Sequence, residues 1–344
     1  NGKGIVTLSA EVTPALSAKA GDEVSVAFDF NGSVKSVKAK VPRSCEPFTV
    51  EAEFTVDNPR LWWPNGFGEQ NLYRYGVTCE GRTLKRNLGF RTVKVVREKD
   101  SKGGESFFFR VNGVDVFAKG WNWIPSEAFP SRRTAERAAF QLREAAKTSA
   151  NMIRVWGGGV YESEEFYDTC DKLGLLVWQD MMFACGYYPV DDYKFRDNIR
   201  AEVAHQIKRL RWHPSIAMWC GDNESYWCSY ITRTWYALCD RLTTTISDTV
   251  IRTNPERFFW PSSPCSGDRR WEENFDLNKG DSHCWGVGSK SNRPVEAYLA
   301  LKMRFMSEYG WSSYPQADYM KRFVSSLDPK TPGMKNHVKT QGEE

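Results

Sequence analysis

The amino-acid sequence predicts an immunoglobulin-like β-sandwich followed by a (β/α)8 barrel. Up to about residue 97, short runs that alternate apolar and polar residues are separated by turn-forming residues, which is typical of a small antiparallel sandwich. From Phe107 onward, apolar strand-like runs alternate with amphipathic helices, as in a parallel sheet with helical crossovers. With 344 residues, 41% of them hydrophobic, the chain is long enough for two domains. We expect them at 1–97 and 98–344.

Four short segments carry the alternation in the first domain: 5–8, 24–28, 48–50 and 54–56. Successive side chains of a strand point to opposite faces, so each segment is predicted to bury one face and expose the other. Short strands at this spacing favour a sandwich, because two such sheets cover each other's apolar faces.

Seven strands are predicted in the second domain. They end near Trp121, Trp156, Asp180, Trp219, Pro261, Trp285 and Glu308. The helices between them have an apolar face, which in one helix carries Ile199, Val203, Ile207 and Leu210. Seven βα units with polar residues at the strand ends favour a barrel over an open sheet.

The barrel is expected to be truncated before its eighth strand. The chain beyond Phe107 is shorter than the roughly 250 residues of a typical barrel. After Glu308 it offers one more helical stretch, 317–326, and then a polar tail without a strand pattern. Open strand edges and exposed apolar surface are costly, so we expect another segment or chain to supply the missing strand.

Composition argues against several classes of function. The 47 Lys and Arg nearly balance the 43 Asp and Glu, and the excess of +4 forms no basic stripe, so we expect no nucleic-acid partner. No apolar run reaches the length of a membrane span, so we expect no membrane partner. The four His lack metal-ligand spacing, and we expect no metal and no cofactor. The 14 Trp, by contrast, suit the apolar faces of sugar rings.

Two carboxylates are the strongest functional signal. Glu224 lies in the stretch AMWCGDNES and Glu308 in RFMSEYGWSSYP, and each follows an apolar run typical of a buried strand. Barrel enzymes keep their chemistry at the carboxyl ends of the strands. Two carboxylates at such positions are the minimum set for cleaving a glycosidic bond, so the sequence predicts a glycoside hydrolase.

Six segments carry motifs that are specific when taken together: LWWPNGFGEQNLY at 61–73, RVNGVDVFAKGWNWIPSEAF at 110–129, NMIRVWGGGVYES at 151–163, LLVWQDMMFACGYYP at 175–189, HPSIAMWCGDNE at 213–224 and FMSEYGWSSYP at 305–315. In these segments and their order the chain resembles the β-mannosidases of glycoside hydrolase family 2. The resemblance implies an immunoglobulin-like domain before a (β/α)8 barrel. It also implies a retaining, exo-acting hydrolase that releases terminal β-D-mannose from oligosaccharides or glycoproteins, and a lysosomal location if the source is eukaryotic.

By this resemblance, Glu224 is the acid/base and Glu308 is the nucleophile. The family places its acid/base after an Asn at the end of strand four, which corresponds to Asn223-Glu224, and its nucleophile at the end of strand seven. The strand count made from periodicity gives the same two strands. A retaining mechanism needs the carboxyl groups about 5–5.5 Å apart. We expect burial and the charge of Glu308 to raise the pKa of Glu224.

Two polar neighbours are predicted to support these carboxylates. Asn223 is expected to hydrogen-bond the sugar 2-hydroxyl, although an Asn at a strand end is also typical of a plain turn. Arg154 resembles the Arg that pairs with the nucleophile in related barrels, where a fixed guanidinium would hold Glu308 ionised and oriented; a surface ion pair is the alternative. The family usually has Asn where this chain has Asp222, and this extra carboxylate could disturb the local pKa values.

The other strand ends supply candidate substrate contacts. These candidates are Trp121, Asn122 and Trp123 on strand one, Trp156 with the glycines at 157–159 after strand two, Asp180 on strand three, and His283 and Trp285 on strand six. For Trp123 a place in the core is an equal alternative. The family tends to have an aromatic residue where Cys284 stands, so this chain departs from the family beside His283.

Two alternatives to a β-mannosidase stay open. The β-galactosidases and β-glucuronidases of the family share the carboxylate pair, but they resemble one another through a Ser-His-Tyr-Pro type of sequence after the strand-two Arg, whereas Arg154 is followed by VWGGGVYES. The second alternative is a non-catalytic fragment that serves as a sugar-binding or interaction module. The family places a further sandwich domain before the immunoglobulin-like one, and we expect another segment or chain to supply that domain as well.

Overall fold

The computed structural model describes residues 2–267, 276–287, 293–310 and 314–336. The end of the polar tail, 337–344, where no eighth strand is expected, lies outside the described residues, as do residues 311–313 of the last family motif. Among the helices of the described residues, none is both long and apolar enough to cross a lipid bilayer.

Two antiparallel sheets form the amino-terminal part and share one apolar core. The first sheet pairs β1 (Lys3–Val12) with β4 (Phe48–Asp57). The second contains β2 (Glu23–Phe30), β3 (Ser33–Lys40), β5 (Tyr73–Cys79) and β6 (Arg82–Leu88), in the order β3-β2-β5-β6. The shared core includes Val6, Leu8, Val26, Phe28 and Phe54. The predicted alternation is confirmed, because buried and exposed residues alternate along β1 and β4.

A small antiparallel sheet follows the sandwich. Its strands, paired in chain order, are β7 (Val93–Val96), β8 (Phe108–Val111) and β9 (Val114–Val116). Phe109, Val111 and Val116 are buried in one cluster with Trp178 and Met218. Because β7 pairs with β8, this sheet crosses the domain limit expected between residues 97 and 98.

Seven parallel strands come next, in two sheets. The first contains β10 (Gly120–Trp123), β11 (Met152–Val155), β12 (Leu176–Asp180), β13 (Ile216–Cys220) and β14 (Phe259–Trp260), in chain order. The second pairs β15 (Ser282–Cys284) with β16 (Met306–Tyr309). Each strand ends within two residues of its predicted end. In the described part of the chain no ladder joins the two sheets, but a side chain does, since Asn122 Nδ2 donates to the Ser307 carbonyl at 3.0 Å.

Five helices accompany the first parallel sheet: α1 (Ala135–Lys147), α2 (Glu164–Leu173), α3 (Tyr193–Leu210), α4 (Ser225–Thr232) and α5 (Tyr236–Thr253). Residues of α1, α2, α3 and α5 share a core with one face of that sheet. The predicted apolar face of α3 is confirmed, because all four of its expected core residues are buried. Strand residues alternate between two cores: Val177 packs with helix residues, whereas Trp178 packs with the small antiparallel sheet. Both faces are therefore covered, which explains the continuous apolar runs.

The helices of the carboxyl-terminal part are short. α6 (Glu296–Leu299) precedes β16, and α7 (Ala317–Met320) and α8 (Pro332–Lys335) follow it. The helix predicted at 317–326 therefore ends early, and the polar tail contains one helical turn. Only Met320 of α7 is buried, so little tertiary packing supports a longer helix there.

Candidate active site

Polar side chains from both parallel sheets meet beyond the carboxyl ends of their strands. Asn122 of β10, Arg154 of β11 and Asp180 of β12 come from the first sheet, and Asn223 follows β13. Glu308 comes from β16 of the second sheet. Parallel strands present their carboxyl ends at one edge, which is where α/β proteins bind ligands.

Arg154 is the centre of this cluster. Its Nη1 donates to Glu308 Oε1 at 2.7 Å, and its Nη2 donates to Asp180 Oδ2 and Asn223 Oδ1, both at 2.8 Å. The Arg154 side chain is only 5% exposed, which excludes the surface ion pair left open above. Burial lowers the pKa of Arg154, but the carboxylates of Asp180 and Glu308 outweigh burial and raise this pKa above its ordinary value. The guanidinium is thus a permanent cation beside Glu308.

Asp180 is engaged by protein groups on both carboxylate oxygens. Besides Arg154, Oδ1 accepts from Trp178 Nε1 at 2.9 Å and Oδ2 accepts from the Gly157 N–H at 3.0 Å. A Cβ at position 157 would lie 2.5 Å from the Phe183 carbonyl oxygen, so this close approach requires glycine. Asp180 therefore holds Arg154 in place and has little capacity left for a sugar hydroxyl.

The second oxygen of Glu308 faces the residues of strand β15. Trp285 Nε1 donates to Glu308 Oε2 at 3.1 Å, and His283 Nδ1 lies 3.4 Å from the same oxygen. Glu308 is buried, whereas Trp285 is 41% exposed. One edge of Trp285 thus orients the carboxylate while the rest of the indole faces solvent at the mouth of the site.

Glu224 is the second carboxylate of the site and has a different set of partners. His283 Nδ1 lies 2.7 Å from Oε1, and the Cys185 thiol donates to Oε2 at 3.3 Å. The Glu224 backbone has a φ of 61°, in the left-handed region, where it precedes α4. Such a conformation is costly for a residue other than glycine and is found mainly where the surroundings impose it.

The two glutamates are close enough for a retaining mechanism. Oxygen atoms of Glu224 and Glu308 and a nitrogen of His283 all lie within 4.8 Å of one another. Retaining glycosidases have carboxyl groups about 5–5.5 Å apart, whereas inverting enzymes leave about 6.5–9.5 Å for a water molecule. The geometry fits the retaining arrangement.

The expectation that the pKa of Glu224 is raised is wrong. Burial is the largest single influence and raises this pKa, but the hydrogen bond and charge of His283, together with Cys185 and Arg154, outweigh it. The net pKa is therefore below the ordinary value of a glutamate. The expectation took account of burial and of the charge of Glu308, but not of His283, which is 59 residues away in the sequence.

A hydrogen-bond chain holds the His283 ring in place beside Glu224. Asp281 accepts four hydrogen bonds, two of them from the hydroxyls of Ser263 and Ser307 at 2.6 and 2.5 Å. A hydroxyl has only one proton to donate. Since Ser263 gives its proton to Asp281, its oxygen accepts from His283 Nε2, 2.9 Å away. The other ring nitrogen, Nδ1, faces Glu224 Oε1 at 2.7 Å.

Three tryptophans predicted at the site differ in what they do. Trp123 donates to Glu162 and packs on Phe166 in the core beneath the helices, which decides for its core alternative. Trp121 precedes it by two residues, so it points to the same face of β10, away from Asn122. The structure therefore does not bring Trp121 or Trp123 to the carboxylates. The Trp156 ring instead lies over Gly158, where a Cβ would be only 2.0 Å from it.

The pKa of Asp222 is raised, whereas the pKa of Glu224 is lowered. Burial raises the pKa of Asp222 to about 6, although hydrogen bonds from the Ser262 hydroxyl and the Ser225 N–H oppose this. Both donors reach the same oxygen, Oδ1. The carboxylate joins the start of α4 to the end of β14 and supports the turn that carries Glu224.

The sequence reasoning missed four residues of this site. They are Cys185, Ser263, Asp281 and Ser307. Cys185 lies inside the motif LLVWQDMMFACGYYP, and Asp281 lies two residues before His283, so their positions near strand ends were a usable signal. Ser263 and Ser307 carry no such signal, because serine is common at the ends of strands.

Two groups of side chains bring possible metal-ligand atoms together among the described residues: Glu224 with His283 and Glu308, and Asp168 with Asp171 and His213. In the second group His213 Nδ1 lies 2.6 Å from Asp171 Oδ2. In both groups the imidazole nitrogen facing the carboxylate is engaged in a short hydrogen bond. Charge-assisted hydrogen bonding accounts for this geometry, and we assign no metal to either group.

Comparison with known proteins agrees with the geometry of the site. Residues 2–91 match the family model "Glycosyl hydrolases family 2". The chain is 37% identical to the beta-mannosidase B of Neosartorya fischeri over 310 residues, which are 84% of this chain. It is also 37% identical to the beta-mannosidase of Bos taurus, over 81% of this chain.

The chain belongs to glycosyl hydrolases family 2. A solved structure in this family, the beta-D-mannosidase from Dictyoglomus thermophilum, superposes with a TM-score of 0.83 at 33% identity and covers 98% of this chain. The chain covers 36% of the Neosartorya relative, 34% of the Bos taurus relative and 42% of the Dictyoglomus chain. It therefore spans about a third of the length of the curated family members it matches.

Proposed function

We propose that this chain carries both catalytic carboxylates of a retaining exo-β-mannosidase, which releases terminal β-D-mannose from oligosaccharides or glycoproteins. Glu308 is the nucleophile and Glu224 is the acid/base. The observation that carries the proposal is the buried site in which oxygen atoms of both glutamates lie within 4.8 Å of one another and of His283. Relatives named as beta-mannosidases at 37% identity support the choice of sugar.

In the first step Glu308 attacks the anomeric carbon of the mannoside. The bond from that carbon to the leaving oxygen breaks as the bond to a Glu308 oxygen forms, which gives a glycosyl ester. Arg154 and Trp285 hold the Glu308 oxygens at 2.7 and 3.1 Å, so the nucleophile is oriented before the sugar arrives. Such preorganisation reduces the cost of reaching the transition state.

The leaving oxygen receives its proton from Glu224. In the sugar-free site burial raises the pKa of Glu224, but His283, whose Nδ1 lies 2.7 Å from Oε1, and other neighbours bring it below its ordinary value. A bound sugar expels water, and a drier site raises the pKa of Glu224 because it favours the neutral carboxyl. The proton then lies on Glu224 when the reaction needs it. In the second step Glu224, now ionised, deprotonates the water that hydrolyses the ester.

Asn223 is proposed to bind the 2-hydroxyl of the mannose. Its Oδ1 is taken by Arg154, so the amide nitrogen is the donor side. The partner of Nδ2 is the Cys185 sulfur at 3.4 Å, and sulfur is a weak acceptor that a hydroxyl readily replaces. Asn122, Trp156 and Trp285 remain proposed contacts at the mouth of the site. Both nitrogens of His283 face protein groups, so we assign it to Glu224 rather than to the sugar.

For the architecture we propose the two domains 1–97 and 98–344, the second a (β/α)8 barrel of which this chain supplies seven strands. Support comes from the parallel order of β10 to β14, from the pair β15–β16 and from the bridging hydrogen bond of Asn122. We propose that the eighth strand and the preceding family domain come from another segment or chain, in line with the greater length of the relatives.

Hydrolysis of a chromogenic β-mannoside, by the chain and by its Glu308→Gln variant, tests the proposal. We expect hydrolysis by the parent chain and a large loss in the variant, because glutamine keeps the shape but cannot form the ester. A β-galactoside and a β-glucuronide in parallel test the sugar, and we expect slower hydrolysis of both. Mannose binding without hydrolysis by either protein would overturn the catalytic proposal in favour of a sugar-binding fragment.

A further inference from the structure

Two large aromatic side chains are exposed next to each other on the Glu224 side of the site. Tyr187 is 40% exposed and Trp235 is 54% exposed. Their ring centroids are 5.4 Å apart and the ring planes are inclined by 37°. Two adjacent exposed aromatic rings offer a surface on which the apolar face of a sugar ring can stack.

The surrounding residues hold this pair in place. The Tyr187 hydroxyl lies 2.7 Å from Thr232 Oγ1, at the end of α4, and that oxygen is also 2.8 Å from Thr234 Oγ1. Trp235 precedes α5 with a φ of 67°, in the left-handed region. Strain of this kind persists where a particular side-chain direction is imposed, and it is enriched at ligand sites.

The chain connects the pair directly to the acid/base. Cys185, two residues before Tyr187, donates its thiol to Glu224 Oε2 at 3.3 Å, and its backbone N–H donates to the Asn223 carbonyl at 2.8 Å. Helix α4 begins after Glu224 and ends at Thr232, which contacts Tyr187. An eight-residue helix is about 12 Å long, so Tyr187 lies within reach of a sugar one or two units away from Glu224.

The chemistry of the reaction determines which part of a substrate passes this pair. The acid/base gives its proton to the leaving oxygen, so the leaving group must extend past Glu224. The opposite wall, formed by Arg154, Asp180 and Glu308, is buried and saturated with hydrogen bonds. A substrate chain therefore leaves the pocket on the side of Tyr187 and Trp235.

We propose that Tyr187 and Trp235 form a binding platform for the leaving group of the substrate, on which a neutral hexopyranose stacks its apolar face. This inference rests on the proposed function, because it uses Glu224 to define the leaving-group side. The platform makes oligosaccharides better substrates than small mannosides. It contacts no atom of the departing mannose.

Kinetics with two substrates of different reach test the platform. A mannose-terminated β-linked oligosaccharide reaches Trp235, whereas the leaving group of β-mannosyl fluoride is a single atom. For Trp235→Ala and Tyr187→Ala we expect the ratio of kcat/KM for the oligosaccharide to kcat/KM for the fluoride to fall roughly ten-fold. Phe140→Ala is the matched control, since Phe140 is 56% exposed on α1, and it should leave the ratio unchanged. An unchanged ratio in both platform variants overturns the proposal.

Binding measurements separate this proposal from the proposed function. In a Glu308→Gln background, titration with the oligosaccharide followed by tryptophan fluorescence should give a Kd that Trp235→Ala raises roughly ten-fold, with little change in the Kd of free mannose. If the parent chain lacks hydrolysis but this difference is present, the platform stands and the proposed catalysis fails. If Trp235→Ala lowers the melting temperature and leaves both Kd values unchanged, another part of the protein covers the platform and the inference is wrong.

Discussion

The two glutamates of the site are held in different ways. Glu308 lies against the Arg154 guanidinium and its side chain is 9% exposed, so its charge is compensated by a group that cannot lose its proton. Glu224 is 19% exposed and faces an imidazole and a thiol, neither of which is a permanent cation. The nucleophile thus lies against a permanent cation, whereas the acid/base lies against an imidazole and a thiol. The same residue type is fitted to two tasks by its neighbours.

The largest expected effect comes from removing the carboxylate of Glu308. Glu308→Gln should lower kcat/KM for an aryl β-mannoside by roughly 10⁴-fold or more, because no ester can form. Glu105→Gln, which removes a carboxylate that is paired with Arg97 outside the site, is the matched control. Comparable losses in both variants would show that general damage, not chemistry, explains the result.

Arg154, the cation beside Glu308, provides the next test of how the two glutamates are held. In Arg154→Lys, a single ammonium replaces the guanidinium that donates hydrogen bonds to Glu308, Asp180 and Asn223. We expect the free energy of unfolding to fall by about 3 kcal/mol, since buried carboxylates lose their partner, and kcat/KM to fall on the order of 100-fold. Arg209→Lys, at a partly buried pair with Glu164, should have smaller effects on both. Chemical denaturation and aryl-mannoside kinetics measure them.

Asp222 and Glu224 sharpen the contrast, because their pKa values shift in opposite directions two residues apart. Burial raises the pKa of Asp222 to about 6, so its stabilising effect is present below the ordinary aspartate pKa and is lost as the pH rises through 6. The loss is on the order of 2–3 kcal/mol. Asp222→Asn should therefore reduce the difference in unfolding free energy between pH 4.5 and pH 7.5. A pH dependence equal to that of the parent chain would contradict the raised pKa.

The smallest expected effect concerns the contact between His283 and Glu224. The pKa of Glu224 is lowered mainly by His283 against the opposing effect of burial, so His283→Gln should raise it. The step measured by kcat/KM needs protonated Glu224. Its alkaline limb should therefore move to higher pH, by about one unit. The exposed His205 on α3 provides the control His205→Gln, and a shift to lower pH in His283→Gln would contradict the account.

The sequence predicted where along a strand a residue lies better than it predicted on which face of the strand the side chain lies. Glu308 and Arg154 were placed at the correct strand ends because apolar runs and their endings are local signals. Trp123 was placed at the correct end of β10 but packs in the core beneath the helices, since a shift of one residue reverses the direction of a side chain. The lowered pKa of Glu224 depends on His283, Cys185 and Arg154, and only the folded chain brings these residues together.

The assignment of roles to the two glutamates is tested most directly by chemical rescue with azide. In Glu224→Ala, an activated aryl β-mannoside still forms the ester on Glu308, and azide attacks that ester from the opposite face. The account predicts β-mannosyl azide, with retained configuration. In Glu308→Ala, azide takes the place of the nucleophile and the account predicts α-mannosyl azide. Proton NMR of the anomeric position distinguishes the two products, and the reverse pairing of products and variants would contradict the account.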